Sequence, residues 1–493
     1  MKKLNELCKK LPCQIVGDTN LRINGISYNS QKTKPGDLFV AINGYKTSGK
    51  LYIESAIKHG ASAIATDDES LIKRIVRQYN HKIANIYITN PRQFLAILAN
   101  RFYDFPSKKL TLIGITGTNG KTTTSYMIKS IIEKSGMKTG LLGTIKYFDG
   151  TNWTDAPNTT PESSDFISFL AELVKKNIHF CISEISSHAL VLDRVFGLDF
   201  KVGVFTNLAH DHLDFHKTKK AYGEAKLKLF KNLSSSAFAV VNYDDKFAKK
   251  IIENTKAKII GYSLNKKNDI NAAVKNTTTE GIEILVTVEN KSKPLTINFP
   301  MLGRHNIYNM LAAIGTTKTF GISNRFIKNG IEKFDSVPGR LERIRTDRGY
   351  NVYIDYAHTA EALEVAIKSL KEITPGKTIV VFGCGGNRDC LKRPKMGRIT
   401  TELADYAIIT SDNPRYEDPN MIINDIKKGI KKNNYKIISD RAQAVKHALR
   451  CAKPKDAVLI AGKGHEQYQI IGDKVIPFSD KEIVLKELSK RKT

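Results

Sequence analysis

The chain has 493 residues, 41% of them hydrophobic and 26% charged, with a formal net charge of +29. That length exceeds what one ordinary hydrophobic core holds, so several domains are expected, and the lack of any run of about 18 apolar residues excludes a membrane-spanning helix. Six scattered cysteines make neither a C-x-x-C pair nor a zinc-finger spacing, which argues against a disulfide scaffold or a structural zinc and for reduced thiols.

The basic start MKKLNELCKKLPCQIVG lacks the continuous apolar segment of a secretory signal, so a cytoplasmic location without membrane insertion is expected. From 1 to 105, short apolar runs such as DLFVAI, ASAIATD and IANIYIT alternate with polar turns, predicting a small α/β domain. From 106 to 336, TLIGIT enters a glycine loop and TTTSYMIKSIIEKSG follows with helical spacing. HFCISEIS, KVGVFTNL and AFAVVNY then read as buried strands of a mainly parallel sheet. From 337 to 493 strands and helices alternate regularly, which predicts a Rossmann-like doubly wound sheet. The class expected is therefore α/β in three domains, the central one resembling a P-loop ATPase. In the last domain AHT, GCGGNRD, SDNPR and GKGHE each follow a strand directly, and the carboxyl ends of parallel strands share one edge, so these clusters should line a common crevice.

Within GITGTNGKTTT, Gly117, Thr118, Asn119 and Gly120 lead into Lys121, Thr122 and Thr123 at a helix start. Backbone N–H groups, a helix dipole and a point charge suit a polyphosphate, and Thr122 or Thr123 can offer a hydroxyl to Mg2+. Glycine is missing at 115, where the strict phosphate-loop pattern requires it, so a simple tight turn is the competing reading. In ISEISSHAL, Glu184 is a candidate Mg2+ ligand or a solvated carboxylate beside a helix cap. NLAHDHLDFH packs three histidines and two aspartates into ten residues without closed zinc spacing, and His212 and Asp211 are its candidate participants. Arg388, with Lys392 and Arg393, follows flexible glycines that could hold an anion. Asp412, Asn413, Pro414 and Arg415 would suit a zwitterionic amino acid, an Arg fork gripping its carboxylate, or would form an ordinary Asx-Pro turn.

The order TGTNGKTT, NTT, EISSHAL, DHLDFH, GRHNIYN, VPGR, DYAHT, FGCGGNRD, DNPR and GKGHE resembles the Mur ligases over nearly the whole chain, and more narrowly the MurE type, which adds the third residue of the peptidoglycan stem peptide. The resemblance implies an ATP- and Mg2+-dependent amide synthetase whose domains hold, in order, uridine diphosphate, ATP and the incoming amino acid. It implies an acyl phosphate on the D-Glu side chain, small-molecule partners rather than nucleic acid, and a monomer. By the same matching Lys121 meets the β/γ-phosphates, and Thr122, Glu184, His212 and Lys226, the last as a CO2 carbamate, lie at Mg2+. Asn306, Asn309, Arg340 and Asp355 contact ATP; Ser30, Tyr45, Lys46 and Thr47 the uridine nucleotide; Asn158, Thr159, Thr160, Ser186 and Arg194 the muramoyl peptide.

Arg388, the DNPR residues, Gly462 and Glu466 are matched to the amino acid, and Arg415 in the last DNPR position implies meso-diaminopimelate, whose distal carboxylate it would bind. Two departures stand out: Leu192 replaces a frequent Gln, and Asn387 a frequent Asp. The alternatives are the same ligase using L-lysine and a folylpolyglutamate synthetase-like ligase. A nucleic-acid-stimulated NTPase is the third, opposed by basic residues that are spread along the chain rather than clustered.

Overall fold

The computed structural model describes residues 1–44, 47–209, 211–288, 293–334 and 336–490, the side chains of 213 and 214 excepted. These fall into two compact units, Met1–Lys121 with Ser135–Ile260, and Thr122–Lys134 with Gly261–Thr493.

The first unit holds two larger sheets. One runs Cys13–Val16, Ala84–Ile88, Ala63–Thr66, Asp37–Val40, Gly25–Ser27, parallel except for its first strand. Its strands are apolar on both faces: Leu38 and Val40 enter one core, Phe39 and Ala41 the other, as a sheet covered on both sides requires. The other sheet is parallel from Thr139–Leu142 through Phe180–Glu184, Thr111–Thr116 and Phe200–Phe205 to Phe238–Asn242. All three strands read from the sequence as buried are there. Thr111–Thr116 lies in the middle, so the loop leaving it at Gly117 opens at the carboxyl edge with strands on either side.

In the second unit the expected parallel pattern gives way first to three antiparallel strands, Ile270–Thr278, Gly281–Val288 and Leu295–Phe299. Their signal was period-two: Ile282, Ile284, Val286 and Val288 are buried while Glu283 is exposed. The six-stranded sheet beyond runs Glu342–Arg345, Asn351–Asp355, Ala457–Ala461, Thr378–Phe382, Tyr406–Ile409, Tyr435–Ile437, with only the first strand antiparallel. Val380 and Phe382 pack under the helices Ala360–Lys371, Lys392–Leu403 and Pro419–Lys427; Ile379 and Val381 pack with Arg441–Cys451 on the other face. This is the doubly wound arrangement read from the alternation, and it brings the four polar clusters to one edge, on four adjacent strands. Among the described residues no helix is long and apolar enough to cross a membrane, and all six cysteines are unpaired.

Candidate active site

Ile115, at the position where the strict loop needs glycine, is a fully buried strand residue paired with Glu184 and Val204. The close approach falls at Gly117 instead, where φ is +154° and an added Cβ would lie 1.9 Å from Thr206 Oγ1. Segment 206–209 braces the loop: Thr118 N donates to Asn207 O (2.8 Å), Asn119 N to Asn207 Oδ1 (3.0 Å), and Thr206 Oγ1 to Asn119 O (2.6 Å).

Two lysines converge on this loop. Lys121 Nζ donates to Gly117 O (2.9 Å) and Thr118 O (2.8 Å), and Lys226 Nζ donates to the same Gly117 O (2.8 Å). Lys226 is 1% exposed, with its ammonium 4.3 Å from the Tyr222 ring centroid. Burial, and then the neighbouring Lys121 charge, holds its pKa well below the usual lysine value. His212 has a left-handed backbone (φ +53°), and its ring lies 6.1 Å from Tyr222 and 4.9 Å from His188. His212, Tyr222, Lys226 and Lys121 are thus gathered around one loop.

Glu184 is fully buried, its Oε1 accepting from Thr144 N (2.9 Å) and its Oε2 from Thr144 Oγ1 (2.8 Å). The NTT segment closes over it. Thr159 Oγ1 is 3.2 Å from Thr144 Oγ1, Thr160 Oγ1 donates to Glu184 O (2.8 Å), and Asn158 O accepts from Tyr147 OH. Ser186 N donates to Thr160 Oγ1 (3.0 Å) and Arg194 Nη1 to Thr160 O (2.9 Å). Sequence reasoning overlooked Glu162, which pairs with Arg92 (2.8 Å) and Arg194 (3.4 Å), while Arg92 Nη2 reaches Asn43 O (2.7 Å). Arg92 thereby ties the loop containing Thr47 to the NTT segment; Thr47 is exposed, Ser30 is buried at a helical turn, and Tyr45 and Lys46 lie outside the described residues.

In the second unit, Thr122 and Thr123 are buried in the helix that follows the loop. Asn309 Nδ2 donates to Asn306 Oδ1 (3.0 Å), and Asn306 Nδ2 to Leu302 O (2.8 Å). Arg340 stacks 4.8 Å over Tyr356, and Asp355 accepts from Leu341 N (2.7 Å) and Ala357 N (2.8 Å), its carboxyl pushed up by burial.

The DNPR segment is held from two sides. An added Cβ on Gly386 would stand 1.9 Å from Pro414 O, so the glycine cluster is the floor on which DNPR rests. On the other side the hairpin Tyr468–Ile471/Lys474–Pro477 clasps it: Arg415 N donates to Ile470 O (3.0 Å), Gly472 N to Arg415 O (2.7 Å) and Ile470 N to Asn413 Oδ1 (3.0 Å). Arg415 is left-handed (φ +54°), with Nη1 on Gly386 O (2.8 Å). Asn413 Nδ2 donates to Glu466 Oε2 (3.0 Å), and at Gly462, where φ is +114°, an added Cβ would stand 2.7 Å from Asp412 Oδ2. Arg388 is exposed, and the buried arginine of its loop is Arg393, on Glu417 (2.8 Å) and Asp425 (3.0 Å).

Three sequence profiles tile the chain: the Mur ligase family, catalytic domain over residues 22–103, the Mur ligase middle domain over 115–317, and the Mur ligase, glutamate ligase domain over 339–464. The chain is 44% identical over 486 residues to the UDP-N-acetylmuramoyl-L-alanyl-D-glutamate--2,6-diaminopimelate ligase of Clostridium tetani, covering 98% of each. Its fold matches a solved structure of a ligase of that description with a TM-score of 0.70 at 30% identity, over 99% of this chain and 98% of the other. Folylpolyglutamate synthase from Thermotoga maritima shares the fold alone, at 18% identity and a TM-score of 0.57 over 74% of this chain and 89% of its own. Matched along its full length by a relative far above the level at which fold alone is shared, the chain belongs to the Mur ligase family.

Proposed function

We propose that this protein joins meso-diaminopimelate to UDP-N-acetylmuramoyl-L-alanyl-D-glutamate with conversion of ATP to ADP and phosphate, a step of peptidoglycan precursor synthesis in the cytoplasm. The observation that carries the reading is the joining of SDNPR, GCGGNRD and GKGHE into one hydrogen-bonded cluster at the carboxyl edge of a doubly wound sheet, with Arg415 fixed in it. In this assignment residues 1–105 hold the uridine nucleotide, 106–336 ATP and 337–493 the amino acid, within a monomer.

The D-Glu side-chain carboxylate attacks the γ-phosphorus of ATP, ADP departs, and an acyl phosphate forms. The amine of the amino acid then adds to the acyl carbon, the amide forms with loss of a proton, and phosphate leaves. A carboxylate is a poor acyl donor at neutral pH and an acyl phosphate a good one, so catalysis rests on positioning and charge stabilisation. Lys121, which donates to two loop carbonyls, exchanges them for phosphate oxygens in this assignment. Arg194 and Ser186, anchored through Thr160, hold the peptide. Arg415 takes the distal carboxylate of diaminopimelate; L-lysine has none and would leave that guanidinium unpaired.

Mg2+ fits the chemistry of the donor set, because Glu184 supplies carboxylate oxygens and Thr122 a hydroxyl, the oxygen ligands that a hard cation prefers. Thr122, Glu184, His212 and Lys226 as a carbamate are the residues that would hold it, and when bound it would neutralise charge building on the transferring phosphoryl group. Burial favours the neutral amine that CO2 requires at Lys226. The test is phosphate release by purified protein with ATP, Mg2+ and the UDP-dipeptide, comparing meso-diaminopimelate, L-lysine and no amino acid. Release with diaminopimelate, with the tripeptide product confirmed by mass, is expected; a preference for L-lysine would overturn the role given to Arg415.

A further inference from the structure

Lys463 lies between two residues matched to the amino acid, yet nothing in the motif comparison gives it a task. Its side chain is fully buried. Nζ donates to Asn413 Oδ1 (3.0 Å) and Glu466 Oε2 (3.1 Å), and lies 5.6 Å from the Tyr468 ring centroid and 6.0 Å from that of Phe478. Aromatic walls and full burial hold the ammonium to a narrow set of positions. Glu466 Oε2 therefore receives two donors, Lys463 Nζ and Asn413 Nδ2, while Oε1 takes a long 3.4 Å bond from Tyr356 OH among the described residues.

Two donors on one oxygen hold the Glu466 carboxylate in a defined orientation. The same lysine fixes Asn413, whose other acceptor contact is Ile470 N of the hairpin that clasps Arg415. Accepting the proposed function, the distal carbon of diaminopimelate carries a carboxylate and an ammonium together. A carboxylate at Arg415 then brings the ammonium within reach of Glu466, one residue pair away through Asn413.

We propose that Lys463 is a positioning residue for amino-acid selection: it locks Oε2 of Glu466 so that Oε1 is presented to the distal ammonium of the substrate. It does not touch the reacting atoms, and its effect runs through Glu466 and Asn413.

The experiment measures KM and kcat for Lys463→Met, Glu466→Gln and the double variant, with meso-diaminopimelate and with 2-aminopimelate, which lacks the distal ammonium. Removing a buried charge-assisted bond should raise KM for meso-diaminopimelate about 30-fold, with KM for ATP and UDP-dipeptide within about twofold. The double variant should be no worse than the worse single one, and 2-aminopimelate should show little penalty from either change. Multiplying penalties, or equal penalties on both amino acids, would overturn the proposal. If Lys463→Met does not fold, Lys463→Gln decides it: a penalty confined to the substrate with the distal ammonium supports the role, and wild-type behaviour or an equal penalty on both refutes it. A wild-type enzyme that uses neither amino acid would instead refute the proposed function.

Discussion

Arg415 offers the sharpest test of the amino-acid assignment, provided that backbone and side-chain effects are separated. Its φ of +54° is one an alanine resists at a cost of roughly 1–2 kcal/mol, so Arg415→Ala would mix strain with lost recognition. Arg415→Asn removes the guanidinium while keeping a residue that tolerates this conformation. The hairpin bonds from Arg415 N to Ile470 O and from Gly472 N to Arg415 O survive, because both are main-chain. What disappears is the fork that the proposed function assigns to the distal carboxylate. Two charge-assisted bonds of about 1.5–3 kcal/mol each, discounted for a half-buried site, leave about 3 kcal/mol, or about 150-fold in kcat/KM for meso-diaminopimelate. Coupled ADP release should show that loss with KM for ATP unchanged and any low rate with L-lysine undiminished. An equal fall for both amino acids, or a parallel rise in KM for ATP, would show that Arg415 supports the fold of the loop and not the substrate.

Three further outcomes follow from other parts of the molecule. Lys226→Ala should abolish turnover, with partial recovery in small carboxylic acids if a carbamate acts there; full activity of the untreated variant would refute the role. His305 is held at about 4 against 6.5 by burial and then by the Arg340 charge, so the unfolded chain binds its proton first. Stability contributed by neutral His305 is therefore lost as pH falls from 6.5 to about 4. His305→Asn should lessen the acid loss by about 3 kcal/mol in urea titrations at pH 4 relative to pH 7, and an unchanged pH slope would contradict the burial argument. Gly386→Ala should raise KM for the amino acid while sparing KM for ATP, since its Cβ would collide with Pro414 O at 1.9 Å.

The alternation that predicted the doubly wound sheet was legible because its strands, buried on both faces, are nearly unbroken apolar runs such as TIVVF and AVLIA, each followed by polar residues. The hairpin Tyr468–Ile471/Lys474–Pro477 was not, because its alternation is partial and several of its apolar side chains are exposed. Yet it fixes the backbone of Arg415. Arg441 was missed for a related reason: SDRAQ follows a short strand like the other polar clusters, but a buried arginine bonded to Asp480 at 2.8 Å cannot be told from a surface one in sequence. Glu184 could be named but not decided, because its two bonds to Thr144 come from a residue 40 positions away.

The two departures from the family pattern acquire physical accounts of different kinds. Asn387 is left-handed (φ +51°), a conformation asparagine accepts readily, and its Oδ1 accepts from Tyr416 N (3.1 Å). Its own N–H donates to Glu417, the carboxylate already paired with Arg393. An aspartate at 387 would set a second negative charge beside Glu417, whereas the amide keeps the turn and the link to the residue after Arg415 without that repulsion. At Leu192 the side chain does lose an amide, but the position keeps a polar tie through its carbonyl, 3.5 Å from Arg92 Nη1. Arg92 and Arg194 both pair with Glu162, and Arg194 holds Thr160 O, so the segment assigned to the peptide is braced by main chain and charge at the place where the family pattern often has a glutamine. Restoring the amide by Leu192→Gln should lower KM for the UDP-dipeptide and leave that for diaminopimelate alone; a change in both would mean that residue 192 acts on the fold of the helix Ser187–Val191 that it caps.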